Sequence, residues 1–159
     1  MFKEVQLYSV EEMAMFKPSK DVVVVSMLDK SEEHKRPPLD GFRDVLRLQF
    51  YDTWEEDKLV ADGAWPDQPT DEEHAKFARG NERIVALSDA QAIVEFLDKY
   101  HQTFDQLTLV THCFGGISRS AAVAAWASAR YWAPLTSKRS TDYANPRLMR
   151  LLNKAAGRR

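Results

Sequence analysis

The stretch that decides the fold is LTLVTHCFGGISRSAAVAAWASARYW, residues 107–132. Its first five residues form an apolar, β-branched run that is typical of a strand. Residues 118–132 are rich in alanine and predict a packed helix. Two glycines lie in the short connection between them. A strand that passes through a glycine-containing turn into a helix is a building unit of α/β domains.

Strands and helices alternate on the N-terminal side of this unit as well. The run VVVVSM at 22–27 has no polar alternation and predicts a strand buried on both faces, as in a parallel sheet covered by helices. The polar residues 29–41 contain a proline pair and a glycine and predict a surface loop. The other predicted elements are strands over 5–8 and 45–50, helices behind capping boxes at Ser9 and Ser88, a helix over 71–79 capped by Thr70, and a last helix from Pro146 to about Gly157.

The composition is that of one globular domain covering residues 1–159, because 44 % of the residues are hydrophobic and 29 % are charged. A single cysteine excludes an intrachain disulfide. No apolar run is long enough for a membrane span, and the N-terminus lacks the pattern of a secretory signal, so we expect a cytoplasmic protein that does not bind membranes. The net charge of −2 argues against nucleic acid as a partner. The sequence makes no prediction of oligomeric state.

The charges are distributed unevenly along the chain. Residues 52–73 are strongly acidic and residues 130–159 strongly basic. Two interpretations are open: the two segments attract each other as solvated faces, or the basic segment forms a rim that attracts an anionic substrate.

The connection between the strand and the helix has the residue types of an anion site. Amide groups of such a loop, together with the helix N-terminus, can hold an anion, and the same field stabilises a thiolate on Cys113. Arg119 supplies a planar fork of donors that can bind two phosphate oxygens at once. Ser120 can donate a hydrogen bond to the sulfur.

The sequence His112-Cys113-x-x-Gly116-x-x-Arg119-Ser120 resembles the signature of the cysteine-dependent protein tyrosine phosphatases, including the dual-specificity group. The wider stretch HCFGGISRSAAVAA, the tail from Asn145 and the segment LRLQFYD resemble the small phosphatase-like proteins of bacteria and phages. The resemblance implies an α/β fold with a central, mostly parallel sheet flanked by helices, and a phosphate-binding loop between a central strand and a helix.

The resemblance also implies an activity and a set of residues. We expect a metal-independent phosphatase without a cofactor that hydrolyses phosphotyrosine on a protein or peptide through a cysteinyl-phosphate, with phosphoserine and phosphothreonine as open further substrates. Cys113 is the expected nucleophile, Arg119 the phosphate clamp, Ser120 the hydroxyl beside the sulfur and His112 a supporting residue. The expected phosphate-binding residues are Phe114, Gly115, Gly116, Ile117, Ser118 and Arg119.

The mechanism of this family needs an aspartic acid to protonate the leaving group. We favour Asp52, which follows the predicted strand at 45–50. Asp67 is the alternative, because Trp65-Pro66-Asp67 resembles the acid loop of the larger tyrosine-specific enzymes, and Asp57 and Asp62 stay open. Aromatic walls for phosphotyrosine are expected from Trp54, Trp65 or Tyr51.

Two other functions compete with a protein phosphatase. A catalytically weak module could bind phosphopeptides without turning them over. An RNA 5′-phosphatase of the same superfamily would need a basic groove, which the C-terminal basic residues keep open.

Overall fold

The central strand of the molecule is the one predicted at 107–111. In the computed structural model, which describes residues 1–55, 65–77 and 83–157, this strand is β4 (Leu107–His112). It lies between β1 (Phe2–Tyr8) and β2 (Val22–Leu28), and β3 (Asp44–Gln49) pairs with the far edge of β2. All three pairings are parallel, so the predicted α/β fold with a parallel central sheet is confirmed.

Five α-helices and one short 3₁₀ helix connect or follow the strands in the described ranges. They are α1 (Val10–Ala14), the 3₁₀ helix Glu33–Lys35, α2 (Asp71–Phe77), α3 (Leu87–His101), α4 (Arg119–Tyr131) and α5 (Pro146–Ala155). None of the helices in these ranges has the length and apolarity that crossing a bilayer requires.

The two faces of the sheet carry separate hydrophobic clusters. On β2, Val23 and Val25 belong to the large cluster with residues of α3, α4 and α5, whereas Val22 and Val24 belong to a smaller one with Met13 and the loop after β2. Every residue of β2 and β4 is buried, as the unbroken apolar run of β2 predicts for a strand covered on both sides.

The helix starts depend on local hydrogen bonds that the sequence predicts with mixed success. The capping box at Ser9 is confirmed, and Thr70 Oγ1 accepts the N–H of Glu73 at 3.2 Å as expected of an N-cap. The capping box at Ser88 is wrong, because α3 begins at Leu87, two residues before the start that a cap at Ser88 requires. The carboxylate of Asp89 accepts the N–H of Ala86 at 2.8 Å, which makes Ala86 the N-cap.

The prediction of a polar surface loop over 29–41 is wrong in part. Asp29 and Leu39 are buried, and a 3₁₀ turn interrupts the segment. The reason is that this loop covers the side of the sheet carrying the smaller cluster, where Leu39 packs.

The acidic and basic segments meet at α5. Glu55 pairs with Arg147 at 2.5 Å and with Arg150 at 2.9 Å, and Asp67 pairs with Arg150 at 2.6 Å and with Lys154. For these residues the predicted attraction between the two segments is confirmed, but the prediction of solvated faces is wrong for Arg147 and Glu55, whose side chains are buried.

Candidate active site

The predicted site residues lie at the carboxyl edge of the sheet. Because all strands are parallel, the segments that follow β2, β3 and β4 come together at one edge, the usual position of a ligand site in α/β sheets. They surround a cavity of about 430 Å³. Its lining residues are Asp29, Glu32, Tyr51, Asp52, Trp54, Cys113, Phe114, Gly115, Ile117, Ser118, Arg119 and Tyr143.

The junction of β1 and α1 packs against the loop between β4 and α4 and holds it in place. The N–H of Val10 donates to the carbonyl of Phe114 at 3.0 Å. Gly116 has a φ of +66°, and a Cβ there would lie 2.7 Å from the backbone nitrogen of Ser9 and 2.8 Å from the backbone carbon of Tyr8. Only glycine fits this position, for both its backbone conformation and the close contact. Gly116 itself supports the loop rather than lining the cavity.

Cys113 lies at the first position of this loop and is 2 % exposed. Its Sγ is 3.2 Å from Ser120 Oγ, a distance at which the hydroxyl can donate to a thiolate. Thr111 Oγ1 donates to the carbonyl of Ser120 at 2.9 Å and ties the start of α4 to β4. The predicted pair of thiol and hydroxyl is therefore brought together.

Arg119 enters the site from the first turn of α4 and is 4 % exposed. Its Nη1 donates to the carbonyl of Phe50 at 3.1 Å, and its Nη2 donates to the carboxylate of Glu32 at 2.9 Å. Burial disfavours the charged guanidinium, but the negative neighbours Cys113, Glu32 and Asp52 outweigh it and raise the pKa of Arg119. The Nε of Arg119 is buried without a hydrogen-bond partner among the described residues.

Glu32, which the sequence reasoning missed, orients this arginine. Its carboxylate also accepts the N–H of Asp29 at 2.9 Å, while Asp29 Oδ1 accepts the N–H of Glu32 at 2.9 Å. This reciprocal pair of bonds fixes the turn after β2. The Asp-x-x-Glu spacing directly after a buried strand is the signal that could have found it.

Asp52, the favoured acid, lines the cavity. Its Oδ1 accepts hydrogen bonds from Ser118 Oγ at 2.6 Å and from Asn145 Nδ2 at 2.8 Å. Trp54 Nε1 donates to the same Ser118 hydroxyl at 3.1 Å. Asp52 is thus joined to the loop between β4 and α4 through Ser118, and to the start of α5 through Asn145.

Asn145 is a second residue that the sequence reasoning missed. It is fully buried, and its backbone N–H donates to the carbonyl of Ser118 at 3.1 Å. Its Oδ1 caps α5 by accepting the N–H of Leu148 at 3.0 Å, while its Nδ2 reaches Asp52. An Asn directly before a helix-starting Pro is the signal for the cap, but nothing local indicates the contact with Asp52.

Asp67, the alternative acid, is not among the residues that line the cavity. Partial burial works against its charged form, yet the hydrogen bonds and charges of Lys154 and Arg150 outweigh it and lower the pKa of Asp67. Asp57 and Asp62 lie outside the described residues. The structure therefore brings Asp52, and not Asp67, to Cys113 and Arg119.

His112 lies behind the cysteine and is fully buried. Its Nε2 is 2.6 Å from Ser26 Oγ, and its Nδ1 is 3.4 Å from the carbonyl oxygen of Cys113. Burial is the main cause that lowers the pKa of His112 to about 4, and the cations of Arg36 and Arg119 add to it. The imidazole is therefore neutral at physiological pH.

The mouth of the cavity is apolar and partly aromatic. Trp54, Phe114, Ile117 and Tyr143 line it and are all exposed large hydrophobic residues. Tyr51 also lines the cavity, as predicted, while Trp65 is not among its lining residues. Tyr143 was missed because it belongs to the segment before α5, about 90 residues beyond the other aromatic walls.

Within the described ranges, no group of three or more His, Cys, Asp or Glu residues is arranged to hold a metal ion. Comparison of the chain with protein-family models, with curated proteins and with solved structures finds no significant match. A functional proposal for this protein therefore depends on the site itself.

Proposed function

We propose that the protein is a metal-independent phosphatase that hydrolyses phosphotyrosine on a protein or peptide through a cysteinyl-phosphate on Cys113. The support comes from the residues gathered at one cavity: a thiol with a hydroxyl beside it, a buried arginine and a carboxylic acid. Each corresponds to a group that phosphoryl transfer needs, namely nucleophile, charge stabiliser and proton donor.

The observation that carries the proposal is the unpartnered Nε of Arg119. A buried donor on a charged group without an acceptor is costly, so such an atom points to a ligand acceptor. Glu32 and the carbonyl of Phe50 bind the two Nη groups, and Arg119 lines the cavity together with Cys113. An oxyanion of a phosphate group is the acceptor that best matches an arginine in this position.

In the first step, the thiolate of Cys113 attacks phosphorus and forms an S–P bond while the bond between phosphorus and the ester oxygen breaks. Arg119 and the amides of the loop stabilise the charge on the three non-bridging oxygens. Asp52, protonated at this stage, donates its proton to the departing oxygen, so the alcohol or phenol leaves neutral.

In the second step, water attacks the cysteinyl-phosphate and gives a proton to the carboxylate of Asp52. The S–P bond breaks, inorganic phosphate leaves, and the electron pair returns to sulfur. Ser120, with its Oγ 3.2 Å from Sγ, stabilises the departing thiolate by donating a hydrogen bond. The enzyme is then in its starting state.

The walls of the cavity favour an aryl phosphate. The exposed side chains of Trp54, Phe114 and Tyr143 offer apolar area to an aromatic ring. Arg119 is the only basic residue among the described residues of the lining, beside the carboxyl groups of Asp29, Glu32 and Asp52. This charge balance suits a single phosphate on an aromatic group and disfavours the repeated phosphates of RNA.

The test measures phosphate release from a phosphotyrosyl peptide and from a 5′-phosphorylated RNA, both in the presence of EDTA. We expect turnover of the peptide and inhibition by vanadate. Cys113→Ser should lower the rate by at least about 10³-fold, because a serine hydroxyl is a far weaker nucleophile here. Rapid quenching with ³²P-labelled substrate should label the wild type at Cys113.

Three results would contradict the proposal in different ways. Binding of the phosphopeptide without turnover would identify a binding module. Faster release from the RNA would favour an RNA 5′-phosphatase. Activity that survives Cys113→Ser would exclude the covalent route.

A further inference from the structure

A chain of buried polar groups lies behind Cys113 and leads away from the cavity. Arg36, on the segment after β2, donates from Nη1 to the carbonyl of Ser26 at 3.1 Å and also to its hydroxyl. Ser26 Oγ is 2.6 Å from His112 Nε2, and His112 Nδ1 faces the carbonyl oxygen of Cys113. The chain of groups thus connects an arginine on the loop after β2 with the backbone of Cys113, directly after the neighbouring strand β4.

Counting protons along this chain assigns the form of the imidazole. An arginine has donors only, so Ser26 Oγ must accept from Arg36. The Cys113 carbonyl oxygen can only accept, so the Nδ1 that faces it at 3.4 Å is the protonated ring nitrogen, and Nε2 accepts the proton of the Ser26 hydroxyl. A neutral imidazole that accepts at Nε2 carries its proton on Nδ1, which places the N–H towards the Cys113 carbonyl.

Arg36 is held firmly enough to impose this arrangement. Its Nε and Nη2 each donate to the carboxylate of Glu33 at 2.7 Å, and Nη2 also donates to the carbonyl of Leu48 at 3.2 Å. The side chain is only 9 % exposed. Arg36 is therefore fixed from three sides: by Glu33 on the 3₁₀ turn, by β2 and by β3.

We propose that Arg36 is a positioning residue that acts through Ser26 to hold His112 in its Nδ1–H form, and thereby controls the reactivity of the Cys113 thiolate. The inference rests on the proposed function in that it assigns Cys113 as the nucleophile. The Nδ1–H group steadies the first carbonyl of the phosphate-binding loop. With Nδ1 unprotonated, two lone pairs would face each other there and the loop would shift.

Two cations close to His112 also favour the neutral form of its ring. Arg36 faces the ring from the segment after β2, and Arg119 faces it from α4. Glu33 lies on the far side of Arg36, and Glu32 on the far side of Arg119. Loss of Arg36 would therefore release Ser26 and also remove one of the cations that disfavour a charged His112 ring.

The experiment uses the fact that the chain has one cysteine, so iodoacetamide reports on Cys113 alone. Its alkylation rate is measured from pH 4 to pH 9 for the wild type, Arg36→Met and Ser26→Ala. Arg43→Met is the matched control, since Arg43 pairs with Asp105 and makes no contact with the chain described above. We expect the rate at pH 6 to fall about tenfold in Arg36→Met, because the loop that stabilises the thiolate shifts, and to stay unchanged in the control.

Nitrogen-15 NMR of the histidine rings reads the tautomer directly, with the His112 signals assigned from a His112→Asn variant. The wild type should show the Nδ1–H form, and Arg36→Met and Ser26→Ala should each add the Nε2–H form. Arg36→Lys should recover little of either the alkylation rate or the pure Nδ1–H form, because lysine restores the charge without the fork that engages Ser26.

Two results would overturn the inference: an Nε2–H ring in the wild type, or variants at Arg36 and Ser26 that match Arg43→Met in both measurements. If Arg36→Met does not fold, Ser26→Ala decides alone. Neither measurement needs turnover. A lack of phosphatase activity would therefore refute the proposed function without deciding this inference, which depends on the alkylation rates and the NMR spectra alone.

Discussion

Asp52 and Asp67 belong to the same acidic stretch, yet they have opposite surroundings. Asp52 lines the cavity and accepts hydrogen bonds from the neutral groups of Ser118 and Asn145. Asp67 lies against α5 and is held by two cations, Arg150 and Lys154, which keep its pKa low. The carboxyl group of Asp52 therefore lies where a bound substrate would reach it, whereas that of Asp67 is engaged by two cations away from the cavity. The partners, and not the sequence around each aspartate, separate a candidate acid from a structural anion.

The largest expected effect is on catalysis, and it separates the two aspartates most sharply. Asp52→Asn should lower kcat for a phosphotyrosyl peptide by about 10²-fold or more, since it removes the proton donor. The loss should be smaller for para-nitrophenyl phosphate, whose leaving group is less basic than tyrosine. Asp67→Asn is the matched control and should stay within about twofold of the wild type on both substrates. Equal losses in the two variants would mean that the distinction between them is wrong.

A smaller effect on catalysis is expected at Asn145, which holds Asp52 in place. Asn145→Ser keeps a good N-cap for α5 but loses the donor to Asp52 and to the Thr53 carbonyl, so kcat should fall about tenfold while Tm falls less than in Asn145→Ala. Asn145→Ala loses both functions, and its free energy of unfolding should also be about 1 kcal/mol lower than that of the wild type. Steady-state kinetics and urea unfolding of the two variants separate the roles. A normal kcat in Asn145→Ser would show that Asp52 needs no such support.

Asp67 should contribute to stability and not to turnover. Its folded-state pKa is lowered, so the unfolded chain binds its proton more tightly and the stabilisation is present above the unfolded pKa of about 3.9. It is lost as the pH falls through the lower, folded-state value. Asp67→Asn should therefore cost roughly 0.5–1 kcal/mol at pH 7, and the gap from wild type should close below about pH 4. Urea unfolding at both pH values checks this, and a gap that widens in acid would contradict the assignment.

The smallest effect is expected at Trp54, which touches Asp52 only through Ser118. Trp54→Phe keeps an aromatic wall but loses the indole N–H at 3.1 Å from Ser118 Oγ, so kcat should change by about two- to threefold. Trp54→Ala also removes the wall, and KM for a phosphotyrosyl peptide should rise further than in Trp54→Phe. Identical KM values in the two variants would show that Trp54 does not contact the substrate.

The sequence predicted the elements whose information is local. The unbroken apolar run of β2 and the alanine-rich α4 were recognisable because burial on both faces leaves a direct mark on composition. The cap at Ser9 followed from spacing within four residues. The start of α3 was missed because Ala86 has no side-chain oxygen that would mark it as an N-cap, and the bond at this helix start comes from the Asp89 carboxylate three residues later.

The partners of the site were less predictable, because they depend on which strands are neighbours. Glu32, Asn145 and Tyr143 meet the loop after β4 although they lie about 25 to 90 residues from it in the chain. Parallel strands require long crossover connections, so residues that share one edge of the sheet come from distant segments. Arg36 has the same origin, and the polar composition of residues 29–41 gave no sign that its side chain turns inward.

By itself, the sequence determined the α/β class and the loop that carries Cys113, Gly116 and Arg119, because strand, turn and helix there are adjacent and their chemistry is set by spacing. The tertiary structure alone decided that Asp52 joins this loop while Asp67 binds α5, and that Glu32 aims Arg119. The physical reason is that the role of a carboxylate depends on the charges and hydrogen-bond donors that packing places beside it. The order of strands in the sheet determines which groups those are.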